Sequence, residues 1–556
     1  MEPLFLPKTI SLFQRVGYSR KQVQDDVFAG IIVGVLALPL SIAFAIASGV
    51  SPEKGLVTAI VAGFLIALLG GSRVQIGGPT GAFVIIVLGI VKVYGIQGLI
   101  ISTVLAGIIL ILFGLFQLGT LIKYIPLPLV TGFTSGIAVV IFTSQVNDFL
   151  GLGINKLPSE FGGKWILFFS SLEHINYYAV GIAALTVLIS VYSKRLTKKV
   201  PGPFISIVLM TLAVLLLKLP VQTIKSVYGE IPNQIKLASF SGLDLRHIGD
   251  YIRPAVTIAM LGAIESLLSA VVSDGMISSN HRSNTELIAQ GIGNIASGLF
   301  GGIPATGAIA RTATNVRNGG RTPIAGMVHA VTLLLIMLFF GKYAALIPLP
   351  CLAGILVVVA YNMSEWRSFI SILRGSRYDV VVLLVTFILT VFADLTVAIE
   401  VGMVLAAMLF MQRMAKLSVV YSLETDKDFI EDYNALPRGI SVYEINGPFF
   451  FGAANKYKEV LKEVGIRSKV MILRMRNVPF IDATGIHNFK EVLKTLNHYR
   501  VKVVLSGVQQ GVYDELMKSG IEKYISKEYI TPHYDIAKVK AVEALDAISR
   551  PHGQRE

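Results

Sequence analysis

Residues 77–83 read Gly-Gly-Pro-Thr-Gly-Ala-Phe, and residues 301–308 read Gly-Gly-Ile-Pro-Ala-Thr-Gly-Ala. Each is a glycine- and proline-rich break just ahead of a helix-forming run, and Thr80-Gly81-Ala82 returns as Thr306-Gly307-Ala308 after 226 residues. The same offset lays Ala37–Gly49 (ALPLSIAFAIASG) on Ala263–Gly275 (AIESLLSAVVSDG), and Ile125-Pro126-Leu127-Pro128 returns as Ile347-Pro348-Leu349-Pro350 after 222. Matches at nearly one spacing mark a duplicated chain. A repeat of about 225 residues holds roughly seven membrane spans, and an odd number inverts the second copy. The expected fold is therefore an α-helical membrane protein of 14 transmembrane segments in a 7+7 inverted repeat. First-half segments are expected to start near Val27, Gly55, Pro79, Gly98, Pro126, Tyr177 and Pro201. Second-half starts are expected near Pro254, Glu286, Thr306, Pro323, Ile347, Tyr378 and Thr396.

Composition agrees with a chain solvated by lipid. Of 556 residues 53% are hydrophobic and 15% charged, with a mean hydropathy of +0.68. Apolar runs such as Val27–Ala47 approach the length that crosses a hydrocarbon core of about 30 Å. The N-terminal segment, residues 1–25, lacks the short apolar stretch and small-residue cleavage site of a signal peptide. The lone cysteine, Cys351, lies in an apolar run and reads as a small core residue.

The net charge of +14 is distributed among loops, without a basic stripe interleaved with aromatics, so nucleic acid is not expected as a partner. Basic residues collect near the N-terminus, at Lys194–Lys199, at His281 and Arg282, at Arg317 and Arg321, and at Arg367, Arg374 and Arg377. With a cytoplasmic N-terminus these loops fall on the cytoplasmic side. The mixed-charge stretch Lys218–Arg253 falls outside, where long loops follow the rule poorly.

Four parts are expected: the N-terminal segment 1–25, a transport domain at 26–416 with repeats at about 26–220 and 252–416, a linker at 417–436, and a soluble α/β domain at 437–550. The last reads as a strand at 440–445, a helix at 454–464, a strand at 470–475, a helix at 483–496 and a strand at 501–505. An even span count leaves it cytoplasmic.

The two glycine-proline breaks start helices late, partway through the bilayer. Inverted repeats bring two such N-termini face to face, each with unpaired N–H groups and about half a positive charge. That arrangement suits an anion, and the expected binding residues are Thr80, Gly81, Ala82 and Phe83 with Thr306, Gly307, Ala308, Ile309, Ala310 and Arg311. The alternative is that the glycines only allow close helix packing.

Ionisable residues inside spans need a reason, and Glu265 and Arg311 stand out. Low dielectric disfavours the charged carboxylate and a nearby guanidinium favours it, so a carrier alternating the two influences binds and releases a proton at Glu265. A fixed ion pair is the alternative. Ser269, four residues on, either lines the site or bonds back to its own helix. Phe44 either walls the pocket or packs against lipid. Asp148 and Glu400 sit near span ends, where interfacial solvation explains them. No phosphate-binding lysine loop, metal-ligand spacing or nucleophile elbow is present, so neither an enzyme nor an ATP-driven pump is expected.

The residues Pro39-Leu40-Ser41-Ile42-Ala43-Phe44-Ala45, Gly78-Pro79-Thr80-Gly81 and Asn284–Arg321 resemble the SulP anion permease family, the last being similar to bacterial members. Val478–Ile486 (VPFIDATGI) resembles a STAS domain. The resemblance implies core and gate subdomains, an elevator-like motion, a homodimer, a bacterial inner membrane location and a regulatory STAS domain with a cytoplasmic protein partner. It also places Phe44 beside the anion and Glu265 below it. Substrates in the family are sulfate, bicarbonate, chloride or dicarboxylates. Sodium-coupled bicarbonate carriers in it tend to have Asp where Glu265 stands, so Glu265 favours proton symport, with no cofactor beyond the co-transported ion, and sodium as the alternative. The serine phosphorylated in anti-sigma-factor antagonists matches Ala483, which disfavours a phosphoswitch there; for Thr484 a helix-capping role is expected. An uncoupled exchanger or channel, and a membrane-tethered sensor, are the competing readings.

Overall fold

The computed structural model describes residues 5–10, 19–120, 125–154, 157–158, 160–196, 201–232, 234–238, 248–393, 395–422, 436–465 and 468–549. The basic residues Lys198 and Lys199 and most of the expected linker lie outside them. Two compact units divide the chain, Met1–Val404 and Leu405–Glu556.

The first unit is helical: α1 (Arg20–Ala47), α2 (Pro52–Leu69), α3 (Ala82–Leu115), α4 (Leu127–Leu150), α5 (Phe161–Ser170), α6 (Tyr177–Leu196), α7 (Gly202–Leu217), α8 (Ile224–Tyr228), α9 (Ile248–Ile277), α10 (Ser283–Leu299), α11 (Ile309–Arg317), α12 (Pro323–Ala344), α13 (Leu349–Met363), α14 (Trp366–Leu373) and α15 (Arg377–Phe392). A further helix, α16 (Leu395–Leu417), runs from this unit into the second. Among the described residues eight helical stretches are long and apolar enough to cross a membrane: 20–47, 52–69, 82–115, 127–150, 248–277, 323–344, 349–373 and 397–417.

Local chemistry sets where these helices begin. Ser19 caps α1 by accepting from the Gln22 amide, and Thr322 caps α12, accepting from the Ile324 amide ahead of a first turn opened by Pro323. The duplicated Ile-Pro-Leu-Pro motifs start α4 and α13 alike, with Pro126 and Pro348 as extended N-caps. Proline suits a helix start because its missing N–H would have no partner there. Gly95, at φ +68°, breaks the long α3 element into two helices, where the sequence reading places separate third and fourth segments.

The repeats interleave. Helices α1, α2 and α3 of the first pack on α12, α10 and α9 of the second, and α4 and α6 pack on α13 and α15. At one α3–α10 crossing a Cβ on Gly107 would lie 2.6 Å from the Gly291 carbonyl, and one on Gly291 2.5 Å from that of Gly107. Only glycine permits backbones this close, and helix association in lipid relies on such packing. Cys351 is fully buried, as expected.

The second unit is an α/β fold. Its sheet runs β3 (Val419–Ser422), β4 (Ile440–Asn446), β5 (Val470–Asn477), β6 (Lys502–Ser506), β7 (Ile530–Thr531), numbered after two short strands of the first unit, β1 (Gly77–Gly78) and β2 (Thr306–Gly307). β3 pairs antiparallel with β4, and the remaining neighbours are parallel. Helices α17 (Phe451–Gly465), α18 (Ala483–His498) and α19 (Gln510–Lys518) bury one face of the sheet, and α20 (Tyr534–Ser549) covers the other. The expected linker needs correction at its start: Val419–Ser422 pairs with Tyr443–Asn446 and belongs to the sheet. Capping also differs from expectation. Asp482 caps α18, its carboxylate accepting from the Gly485 amide at 2.7 Å, while Thr484 is an exposed residue in the first turn.

Candidate functional site

The two glycine-proline breaks meet. β1 and β2 pair antiparallel, Gly77 opposite Gly307 and Gly78 opposite Thr306, so the starts of α3 and α11 are fixed against each other by backbone hydrogen bonds. Gly78 has φ +147°, a conformation glycine alone adopts easily, and a Cβ there would sit 2.7 Å from Nη1 of Arg311. Further bonds brace the crossing. The Ala308 amide donates to the Ile76 carbonyl at 2.9 Å, the Ile76 amide to Thr312 Oγ1 at 3.0 Å, and Asn294 exchanges two 2.8 Å bonds with Ala305. Neither α3 nor α11 has a side-chain cap, so both turn uncapped N-termini toward the same place.

A cavity of about 260 Å³ lies there, lined by Leu40 and Phe44 of α1, Thr80, Gly81, Thr134, Glu265, Gly307 to Arg311, and Val359, Asn362, Met363 and Glu365 around the end of α13. Nine of the expected residues therefore share one cavity: Phe44, Thr80, Gly81, Glu265, Gly307, Ala308, Ile309, Ala310 and Arg311. Four do not line it. Ala82 and Phe83 point into the protein core, and Phe83 approaches Gly262. Thr306 is fully buried, donating to the Gly262 carbonyl at 3.0 Å and lying 2.7 Å from Ser266 Oγ. Ser269 donates to Thr312 Oγ1 at 3.3 Å, bonding neither the cavity nor its own helix.

Thr80 donates its hydroxyl proton to Glu265 Oε2 at 2.9 Å, which ties the start of α3 to the carboxylate. Arg311 is 2% exposed. Its Nη2 donates to the Pro79 carbonyl, while the buried Nη1 has no hydrogen-bond partner. Glu265 accepts from Thr80 and Arg311 donates to Pro79, and no ion pair within 4.0 Å joins the two side chains among the described residues. The alternative of a closed, fixed pair is thus not what this conformation contains. Arg311 lines the cavity beside two helix N-termini, and a guanidinium there is a donor set for an anion.

Reading the sequence missed Thr134, Asn362 and Glu365. Glu365 caps α14 in the left-handed region at φ +42°, a strained backbone for a residue with a Cβ. The polar interruption Tyr361-Asn362-Met363-Ser364-Glu365 within an apolar stretch was the available signal. Glu400 pairs with Arg253 at 3.9 Å on an exposed surface. Asp148 lines a separate cavity with Asn147 and Asn176.

The profile of the sulfate permease family matches residues 23–386, and that of the STAS domain matches residues 435–537. YvdB of Bacillus subtilis, named for sulfate transport, is 41% identical over 521 residues, covering 93% of this chain and 98% of its own. The bicarbonate transporter BicA of Picosynechococcus is 31% identical over 78% of this chain and 80% of its own. The solved transmembrane domain of a cyanobacterial BicA superposes with a TM-score of 0.62 at 30% identity, covering 70% of this chain and 98% of that one. Murine Slc26a9, an anion transporter captured inward-facing, superposes with a TM-score of 0.85 over 97% of this chain and 94% of its own. At 18% identity that likeness speaks for the fold alone.

Proposed function

The chain belongs to the sulfate permease family, and we propose that this anion transporter performs proton-coupled symport of a small anion, sulfate or bicarbonate before a dicarboxylate. The observation that carries the reading is one cavity lined by two uncapped helix starts, by Arg311, and by Glu265 held by Thr80. The YvdB and BicA names supply the substrate classes.

In this mechanism the anion enters the cavity and accepts hydrogen bonds from the first turns of α3 and α11 and from Arg311. Because the Arg311 guanidinium is buried, its bond counts for more than in water. Glu265 is the coupling group. An ionised carboxylate beside the bound anion is repelled by it, so loading the anion favours taking up a proton, and release of either loosens the other. Thr80 transmits that state to the helix start the anion touches. The cavity opens where Ile309, Ala310, Asn362 and Glu365 are exposed, which on a cytoplasmic N-terminus is the inward side.

The reading includes 14 segments in a 7+7 inverted topology, with a transport domain at 26–416 and a STAS domain at 437–550 joined by the strand Val419–Ser422. The short elements α6, α7, α10, α11 and α15 supply the crossings beyond the long apolar helices. Alternating access is an elevator-like movement of the α1–α3 and α9–α12 bundle against the helices around α4 and α13. The protein resides in the bacterial inner membrane as a homodimer with both termini cytoplasmic, and the STAS domain regulates transport.

Uptake of labelled sulfate, bicarbonate and fumarate into proteoliposomes, under an inward proton gradient, an inward sodium gradient or neither, tests the reading. Proton-stimulated accumulation of sulfate or bicarbonate is expected. Stimulation by sodium alone overturns the coupling, insensitivity to both gradients favours an uncoupled exchanger, and no uptake of any anion overturns the transport reading.

A further inference from the structure

A second cavity, of about 140 Å³, lies beyond the central one and is lined by Ala47, Val84, Ile141, Ser144, Lys92 and Lys164 among others. Its position follows from three helices. On α1 the central lining is Leu40 and Phe44 and the second cavity has Ala47; on α3 the order is Thr80 and Gly81, then Val84 to Lys92; on α4 it is Thr134, then Val140 to Ser144. All three helices leave the central cavity in the same direction, and ten residues of α4 cover about 15 Å. The second cavity is therefore on the side opposite the exposed lip at Ile309 and Glu365. It continues into a third cavity, of about 570 Å³, through shared residues Ile85, Gly89, Thr390 and Ala393.

The partition between the central and second cavities is thin. A Cβ on Gly81 would meet Met363 at 2.8 Å, Ile141 Cδ1 at 3.1 Å and Phe44 Cε1 at 3.3 Å, so Ile141 touches the central site while also lining the second cavity. One layer of side chains separates the two.

Lys164, on α5, is 6% exposed and has neither a hydrogen-bond acceptor nor an ion-pair partner for its side chain among the described residues. The stem is packed and the ammonium is left open to the cavity alone, without a counter-charge. Lys92, from α3, faces the same cavity and adds a like charge there. Carboxylates are poorly placed to compensate. Asp250 lies in the third cavity beside Arg253, which pairs with Glu400, and Glu160 at the start of α5 makes no ion pair with Lys164. Helix α5 is held in place by Phe161, which stacks edge-on against Phe392 at 5.3 Å. A lysine that packs its stem and sends its head to open water is the ordinary arrangement; here the head of Lys164 ends on a cavity wall shared with the exposed Lys92.

We propose that Lys164 and Lys92 form an anion-capture vestibule on the far side of the Ile141 partition, a first station for a small inorganic anion before it reaches Arg311. The inference deepens the transport reading above and rests on it for the identity of the cargo. A cavity of this size holds a small anion with a few waters, each of which occupies about 30 Å³ in the liquid.

The test places a thiol probe at Ser144, which lines the vestibule, in a Cys351→Ala background of the full chain reconstituted in vesicles. Anionic and cationic methanethiosulfonate reagents of matched size report the local potential through their relative labelling rates. With Lys164 present the anionic reagent is expected to be favoured by about tenfold, a preference lost in Lys164→Gln and retained in Lys164→Arg. If Lys164→Gln does not fold, Lys92→Gln is expected to lower the ratio in the same direction by a smaller factor. A ratio unchanged by either substitution overturns the proposal. In parallel, Lys164→Gln is expected to raise the KM for labelled sulfate several-fold, with Lys164→Arg restoring it. Wild-type protein that moves no anion refutes the transport reading, while the labelling ratio still decides for or against the vestibule.

Discussion

The two repeats contribute the same geometry to the central cavity and different chemistry. At the shared offset Thr80 matches Thr306, Pro39 matches Glu265, Ile85 matches Arg311 and Phe44 matches Ala270. Both repeats supply a strand and an uncapped helix start, and the two strands pair antiparallel. The second repeat alone supplies the carboxylate and the guanidinium, while the first supplies an aromatic wall and the threonine that holds the carboxylate. Even the matched threonines diverge: Thr80 faces the cavity and bonds Glu265, whereas Thr306 is buried and bonds the α9 backbone. Duplication thus builds the scaffold for an anion, and divergence of two positions makes one half its chemistry.

That division of labour can be broken most severely at Arg311. Arg311→Gln is expected to lower the initial rate of anion uptake by about a hundredfold, because it removes the buried charge and its bond to Pro79 together. Ile85→Gln, at the matched position of the first repeat, is expected to leave most uptake intact; comparable losses at both positions would contradict the asymmetry. Next in size is Glu265→Gln, which is expected to abolish accumulation driven by a proton gradient while labelled anion exchange persists, as measured by counterflow.

The threonine pair sharpens the comparison further. Thr306→Val removes two buried hydrogen bonds and leaves Ser266 and the Gly262 carbonyl short of a partner. It is expected to cost about 1–3 kcal/mol of stability, read as a lowered unfolding temperature in detergent, with KM little changed. Thr80→Val is expected to do the reverse, shifting KM and the pH dependence of uptake with a smaller stability change. The smallest effect is expected at the partition. Ile141→Ala thins one layer between two cavities and is expected to raise a background chloride leak severalfold in a vesicle flux assay, without changing which ion is coupled.

Much of this was legible in the sequence because periodicity and repetition carry it. The offset of 226 residues singles out the two glycine-proline breaks, and β1 and β2 pair where those breaks meet. The late helix starts were read from the breaks, but the strands β1 and β2, and so the first residues of α3 and α11 three beyond Pro79 and Thr306, escaped because two-residue strands have no sequence period. Side-chain direction was harder. Ala82, Phe83 and Thr306 belong to the two segments that meet at the cavity but turn into the core, and a half-helix start offers no neighbouring turn from which to read its face. Ser269 found a partner on α11, a contact between helices distant in sequence. Glu365 and Asn362 were missed because they sit where α13 ends in a strained backbone. In the second unit, β3 was taken as linker because four residues, Val419–Ser422, look like a helix tail until a strand 20 residues later pairs with them.

The most direct test of proton coupling at Glu265 is the lumenal pH of proteoliposomes when an inward sulfate or bicarbonate gradient is imposed at equal starting pH, with bicarbonate runs corrected for carbon dioxide permeation. Wild-type protein is expected to acidify the lumen as the anion enters, and Glu265→Gln to exchange labelled anion without acidification. Equal acidification by both proteins would contradict the account.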